Sequence, residues 1–364
     1  MDDGESNENS PLAVVVIATA DKRFVAVDIM DASWFRGELQ PLWEELLVGL
    51  ACEQESHGSA PTSEDLQTLS EEIRYQHELI TSEETESWLT RRKLSLDDLT
   101  DYCRRRYWRD HTANPPPGEK IDYLDATSEL RELFLKGVLF AGKFDEWVRR
   151  LAWRVAASLA AEVEPPASAD KLDAQRALFF QWSHLEPETL AGALQQIGRD
   201  REWFEALIEM ETCYRWHCDQ VCTAENRGRS LVALRLPLTQ FTLEILDLES
   251  EDVAREARFC LETDGLSMAE FAAQEHYRIE RGELLLEDFP EELQPRFLAS
   301  ETGRFHHVTT SDNCYQVCRL LEKREPTLAD ENVVRRIDRE LLETHFENLV
   351  AKNSVRLVEP GSPP

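Results

Sequence analysis

The stretch Gly265-Leu-Ser-Met-Ala-Glu-Phe-Ala272, followed by Phe289-Pro-Glu-Glu-Leu293 and then by Gly303, decides how this chain is read. It lies inside Leu231–Val358, where the element types alternate most clearly. Leu231 to Leu248 is β-rich and broken at Pro237. Ser250-Glu251-Asp252 opens a helix on acidic first-turn residues, which suit the positive end of the helix dipole. Val253, Ala257 and Cys260–Leu261 give that helix an apolar side. Gly265 ends it, and Ser267 with Glu270 restarts the pattern as a capping box. Phe289-Pro290 begins a short helix through Leu293, Phe297 and Leu298. After the turn at Gly303, residues Phe305, His307, Tyr315, Val317 and Leu321 suit a hairpin. From Thr327, the residues Val333, Val334, Ile337, Leu341, Phe346 and Leu349 form one helical stripe, and Ser354 to Val358 is a last strand.

Working outward, Met1–Ser10 is a polar, disordered tail. Leu12–Ala18 and Phe24–Ile29 flank a polar break and read as a hairpin. Four helices follow. The first is capped by Ser33, the second by Thr62 with Asp65, the third spans about Glu83–Arg92, and the fourth is capped by Ser95. Asn114-Pro-Pro-Pro-Gly118 closes that segment, because prolines remove the helix donors. The next block repeats the plan. A shift of 105 residues brings Phe35 onto Phe140, Leu39 onto Phe144, Leu46 onto Leu151, Leu99 onto Phe204 and Ser95 onto Asp200. Two helical blocks of one design, residues 11–113 and 119–225, are therefore expected, the second without the hairpin. The later part divides into residues 231–325 and a C-terminal helix and strand, residues 326–358.

The 364 residues carry 71 acidic and 40 basic side chains, a formal charge of −31. That balance argues against a nucleic-acid partner, whose phosphates need a basic footprint. It also argues against anionic membrane surfaces and suits a cationic or neutral partner. The N-terminus lacks the basic and apolar regions of a secretory signal, and no run approaches the ~18 apolar residues of a membrane span. A cytoplasmic protein without membrane insertion is the expectation, with its eight cysteines as free thiols.

The order of strand, helix ending Gly265-Leu-Ser-Met-Ala-Glu-Phe-Ala272, short helix, glycine turn and strand resembles the parvulin type of peptidyl-prolyl isomerase. The hairpin and helices ending Trp88-Leu-Thr-Arg-Arg-Lys-Leu-Ser95, with the helix and strand after Glu325-Pro326, resemble the chaperone part of SurA-type and PrsA-type foldases. The resemblance covers most of the chain. It implies an α+β fold: a mainly helical chaperone-like part plus a small parvulin-like domain with a mostly antiparallel sheet. It also implies that residues 326–358 return to the N-terminal domain. Parvulin sites use two histidines, an acidic or thiol residue and a hydroxyl. Here the first histidine position falls near Thr242–Glu244 and the second on Gln316, and the acidic loop is shortened to Glu280-Arg281-Gly282-Glu283. The positions carried over are Ser311, Gln316 and Glu244 for catalysis, and Phe289, Leu293 and Phe297 for the bound peptide.

Those departures imply a peptide-binding, chaperone-like protein with weak or absent isomerase activity. It would take an extended or proline-containing polypeptide client as an accessory factor in peptide or protein maturation. The alternatives are an active prolyl isomerase using Ser311 and Gln316, and a helical scaffold joining other proteins. No cofactor is expected. Cys213, His217, Cys218 and Cys222 are metal-ligand types, but the pairs differ by about 100° around a helix, so buried thiols are expected rather than a metal. Cys314 and Cys318, with His306 and His307 nearby, read as packing. Arg104-Arg105-Arg106 and Arg109, beside Tyr107 and Trp108, are a solvated helix face or a docking place for acidic peptide segments.

Overall fold

Helix starts in this chain are fixed by short polar side chains. Thr62, Thr81, Ser95 and Ser267 each accept from the backbone N–H three residues on, while Asp65, Glu84, Asp98 and Glu270 reach back to the cap residue. Donors that the helix cannot satisfy are thereby paired. The computed structural model of the protein describes residues 10–56, 61–161, 168–263, 265–309 and 315–358. The fold is α+β, mostly helical, with two small antiparallel sheets. It divides into two units, residues 1–220 with 344–364, and residues 221–343.

In chain order the first unit carries β1 (Val15–Ala18), β2 (Arg23–Val25), α1 (Ala26–Phe35), α2 (Gln40–Glu55), α3 (Ser63–Gln76), α4 (Ser82–Arg91), α5 (Leu96–His111), α6 (Ser128–Phe140), α7 (Phe144–Ala161), α8 (Ala169–Ser183), α9 (Leu190–Gln196) and α10 (Arg201–Val221). The second carries α11 (Ala224–Ala233), β3 (Gln240–Leu248), α12 (Glu251–Thr263), α13 (Met268–Glu275), β4 (Ile279–Leu285), α14 (Gln294–Ala299), β5 (Phe305–Thr309), β6 (Tyr315–Arg324) and the start of α15 (Glu331–Lys352). The chain re-enters the first unit at Thr344 and ends in β7 (Arg356–Leu357).

The first sheet runs β2-β1-β7, with Ile17 opposite both Phe24 and Leu357. Behind it one continuous core gathers Ile17, Ile29, Phe35, Trp43, Tyr123, Phe134 and Phe204. Trp43 meets the Phe134 ring edge-on at 5.1 Å, and its indole N–H donates to the Ile121 carbonyl at 2.7 Å. Asp31 is fully buried and holds the Tyr123 hydroxyl at 2.8 Å and the Arg199 guanidinium at 2.6 Å. Burial lifts its carboxyl above the usual range, against the opposing pull of Arg199. From Thr344 onward, Phe346 stacks on Trp153 and Tyr214, and the Val358 N–H donates to the Val16 carbonyl at 2.9 Å.

The expected second hairpin strand, Phe24–Ile29, is corrected by the structure. It pairs only as far as Val25, and α1 begins at Ala26. Asp28 accepts from the Val25 N–H at 2.8 Å, which closes the helix start. Nearly every side of α1 is buried, so its apolar alternation reports core burial and not a strand. The cap expected at Ser33 lies instead inside α1, and Gly37, at φ +71°, breaks the chain before α2. An offset of 105 positions carries Gly37 onto Gly142 (φ +66°) and Lys93 onto Gly198 (φ +70°), and the helices between them keep the same order.

In the second unit the sheet order is β4-β3-β6-β5, antiparallel throughout. One face packs on α12 and α13 through Leu246, Leu248, Ala257, Leu261, Phe271 and Val317. The other packs on α14 and the turn before it. Three sequence expectations are revised here. The first half of Leu231–Leu248 is the end of a helix and a turn, since Thr223 caps α11, which runs to Ala233, by accepting from the Asn226 N–H, and the strand starts only at Gln240. Pro290 heads a turn, with the Leu293 N–H donating to its carbonyl at 2.8 Å, and the helix begins at Gln294. The segment Glu280–Glu283 is the middle of β4 and not a loop. Gly282 is suited to that strand because a Cβ there would lie 3.2 Å from Ile245 Cδ1. Among the described residues no helix is long and apolar enough to cross a membrane.

Candidate functional site

Strand pairing decides which side chains can meet. Cross-strand partners share a face. Asp247 pairs with Gln316, Ile245 with Cys318 and Glu280, Leu243 with Gly282 and Leu320, and His306 with Cys318. These residues lie on the face that α14 partly covers. Glu244 pairs with Arg281 and Arg319, so it lies on the opposite face, the one against α12 and α13. Both arginines flank its carboxylate at 3.7 Å.

The candidate catalytic residues are therefore not assembled. Gln316 is half-buried on the α14 face, and its side-chain amide donates to Asp247 Oδ1 at 2.8 Å. Glu244 is removed from it by the sheet itself, a correction that follows from strand parity. Ser311 lies outside the described residues. Of the candidate peptide contacts, Leu293 is half-buried and accessible, whereas Phe289 and Phe297 are buried. Phe297 sits 4.2 Å from the Phe289 ring and 6.0 Å from Phe241, so the aromatic cluster fills the floor of this face. Ile245 and Gly282 on this face are half-buried like Leu293, whereas Phe297 is fully covered.

His306, which reads with Cys318 as packing in the sequence, lies on this face. It is 4 % exposed and lies 4.5 Å from the Phe297 ring, and among the described residues neither ring nitrogen has a hydrogen-bond partner. Burial pushes its pKa down to about 4, with Arg296, Arg258 and Arg304 acting in the same sense and Glu262 opposing. It is therefore neutral near pH 7. Cys318 beside it is buried, and its thiol is pushed up to about 12. Neither of these two groups is ionised at neutral pH, so this pair offers apolar contact and neutral hydrogen bonding and no charged acid–base couple. Cys314 lies outside the described residues.

The first unit holds a cleft of a different kind. A cavity of about 400 Å³ opens between the first sheet and α7. Val14, Val16, Leu139, Phe144, Val148 and Leu357 supply its apolar lining, and Asp145 and Arg149 stand at its margin. It borders β7, which among the described residues is an edge strand and whose Leu357 is 52 % exposed. An edge strand presents unpaired backbone N–H and C=O groups, the groups by which an extended peptide adds to a sheet.

The cysteine-histidine cluster resolves into separate environments. His217 faces His345, with His345 Nε2 3.1 Å from His217 Nδ1. Burial and the neighbouring ring lower the His217 pKa. Cys213 is buried and its thiol is pushed up to about 11. Among the described residues no three metal-binding side chains gather at one point.

No protein-family model matches the sequence, and no curated protein matches it. Solved structures do. A peptidylprolyl isomerase, PrsA, from Bacillus anthracis is similar at 15 % identity and a TM-score of 0.31, covering 56 % of this chain and 95 % of that one. The foldase protein PrsA from Streptococcus pneumoniae is similar at 15 % identity and a TM-score of 0.28, covering 58 % and 87 %. One of the SurA-like chaperones of Campylobacter jejuni is similar at 11 % identity and a TM-score of 0.20, covering 61 % and 86 %. Likeness at this level assigns no activity.

Proposed function

We propose that this chain is a polypeptide-binding, chaperone-like protein that holds extended or proline-containing segments as an accessory factor in peptide or protein maturation. The observation that carries the reading is the apolar cleft of about 400 Å³ beside the open edge of β7. Its size falls in the range of about 300–1,000 Å³ that suits a bound ligand. The strand edge supplies sequence-independent backbone bonding, and the apolar lining selects aliphatic or aromatic side chains. The charge of −31 favours cationic clients and keeps the protein soluble while it holds them.

Efficient prolyl isomerisation is not part of this reading. The barrier of about 18–20 kcal/mol is lowered by groups held against the rotating amide. On the α14 face the amide of Gln316 is tied to Asp247, and Glu244 is on the other side of the sheet.

Suppression of aggregation of an unfolded cationic client tests the proposal. Wild type at small excess is expected to suppress it, and Leu357→Glu to lose most of that protection. Leu357 is already largely exposed, so the substitution leaves the fold intact. No suppression by wild type overturns the chaperone reading. A fast prolyl-peptide isomerisation rate that Gln316→Ala abolishes would replace it with an isomerase.

A further inference from the structure

The stretch from Thr344 to Val358 completes the first unit through short-range contacts. β7 pairs with β1 as Ile17 opposite Leu357 and Ala18 opposite Arg356. The last turns of α15 add Phe346, which is fully buried, and Leu349 and Val350, which are half-buried against the core. The side-chain hydrogen bond between this stretch and α10 is made by two imidazoles. His345 Nε2 lies 3.1 Å from His217 Nδ1, and the ring centroids are 5.1 Å apart.

Such a contact needs one ring to donate an N–H and the other to accept on a bare nitrogen, so at least one of the two is neutral. His217 is buried and His345 half-buried. Burial lowers both pKa values, and that of His217 is lowered further by His345, with the Ala157 backbone on α7 opposing. Around the rings, α10 supplies Cys213, Tyr214 and Cys218. Burial raises all three, Cys213 to about 11 and Tyr214 to about 12, so they are uncharged at neutral pH. α7 supplies Arg154, a cation that lies over the Tyr214 ring at 4.1 Å and is paired with Glu211. Arg215 and Asp219 on α10, and Glu343 and Glu347 on α15, are each two positions from a ring and do not share its helix face. Among the described residues no carboxylate therefore stabilises a positive charge on the pair.

We propose that His217 and His345 form a pH-operated clasp, and that protonation of the pair frees residues 344–358 from the first unit and dismantles the cleft that Leu357 and Val358 help to line. With both rings protonated, the contact has two donors, no acceptor and two positive charges 3.1 Å apart. Once freed, both rings reach water and carry their protons without that penalty. Both folded values are lowered, so docking is complete above the ordinary value of 6.5 and weakens as pH falls below it. Each histidine weakens docking by up to about tenfold per pH unit in that range. The consequence for clients, release in mild acid, rests on the polypeptide-binding reading; the clasp itself does not.

The test is hydrogen exchange of the full chain read by mass spectrometry at pH 7.0 and pH 5.5, corrected for the intrinsic exchange rate at each pH. Wild type is expected to lose at least tenfold in protection over residues 344–358 and less than threefold in α1 and α5. The double variant His217→Gln, His345→Gln keeps a neutral donor and acceptor that take no proton, and its protection is expected to hold within threefold. Unchanged protection of residues 344–358 in wild type, an equal loss in α1 and α5, or an equal loss in the double variant each overturns the clasp. If the double variant does not fold, His345→Leu removes one titrating ring and is expected to lose less protection than wild type over the same pH step; an equal loss overturns the clasp. Suppression of client aggregation at pH 5.5 is expected to fail for wild type and to persist for the double variant. Persistence in wild type with residues 344–358 released overturns the link to the cleft. If neither protein suppresses aggregation at pH 7.0, the polypeptide-binding reading fails, and the exchange result still decides the clasp.

Discussion

Protonation of His306 is expected to destabilise the second unit by an amount that can be measured. The imidazole is 4 % exposed, has no hydrogen-bond partner on either nitrogen among the described residues, and is pushed down to about 4 from an ordinary value of 6.5. Its folded pKa is lowered, so the unfolded chain takes the proton first as pH falls. Stability is complete above about pH 6.5 and is lost progressively down to about pH 4. Between pH 7 and pH 5 that loss is about 2 kcal/mol. Substitution His306→Leu removes the proton and the two unbonded nitrogens and keeps a side chain of similar bulk beside Phe297. The variant is expected to be at least as stable as wild type at pH 7 and less dependent on pH by about 2 kcal/mol. Carboxylates and His307 titrate in both proteins, so they cancel in the comparison. All nine tryptophans lie between Trp34 and Trp216, within the first unit. Urea unfolding followed by tryptophan fluorescence therefore reports that unit, and far-UV circular dichroism reports both. The second transition is the difference between them. Equal pH dependence of that transition in wild type and His306→Leu, between pH 7 and pH 5, would refute the argument.

Four further outcomes follow from contacts already described. Asp31→Ala leaves Arg199 and the Tyr123 hydroxyl without their buried partner and is expected to cost about 3–5 kcal/mol, read by tryptophan fluorescence in urea. Phe346→Ala empties a fully buried site between Trp153 and Tyr214; a loss of about 3–5 kcal/mol is expected, with a shift in tryptophan emission. Ser95→Ala removes the α5 cap and is expected to cost about 1 kcal/mol in the same denaturation. Glu244→Gln, on the helix-covered face, is expected to leave both aggregation suppression and any prolyl isomerisation rate unchanged.

What could be read from the chain follows the range of the interactions involved. Capping boxes at Thr62, Ser95 and Ser267 are local, each closed within four residues, and all three are present. The turn at Gly303, with φ +90°, and the hairpin after it depend on neighbours only, and both are found. Ala26–Ile29 was misread because its alternation comes from burial on several sides of a helix, a property of the surrounding core. The side of the sheet on which Glu244 falls depends on pairing with strands about 40 and 75 residues later, and a register shift at Thr242/Leu243 intervenes. No local pattern carries that parity. His306 was visible as a residue but not as a buried group without partners, since its isolation comes from Phe297, Cys318 and the sheet together.

The first unit is built from two stretches far apart in sequence, residues 1–220 and 344–364. Its β1 receives β7, and its core receives Phe346, while residues 221–343 form a separate unit between the two contributions. During translation, which proceeds at about 5–20 residues per second, the first 220 residues leave the ribosome long before the segment that completes them. Residues 221–343 gather into a compact unit of their own. The second unit can therefore close while synthesis continues, and the first closes only once residues 344–358 have emerged. Until then β1 lacks its β7 neighbour, and the surfaces of α7 and α10 that receive Phe346 stay uncovered. A stall or truncation before Thr344 would leave an aggregation-prone nascent chain, even though most of its helices had already been made.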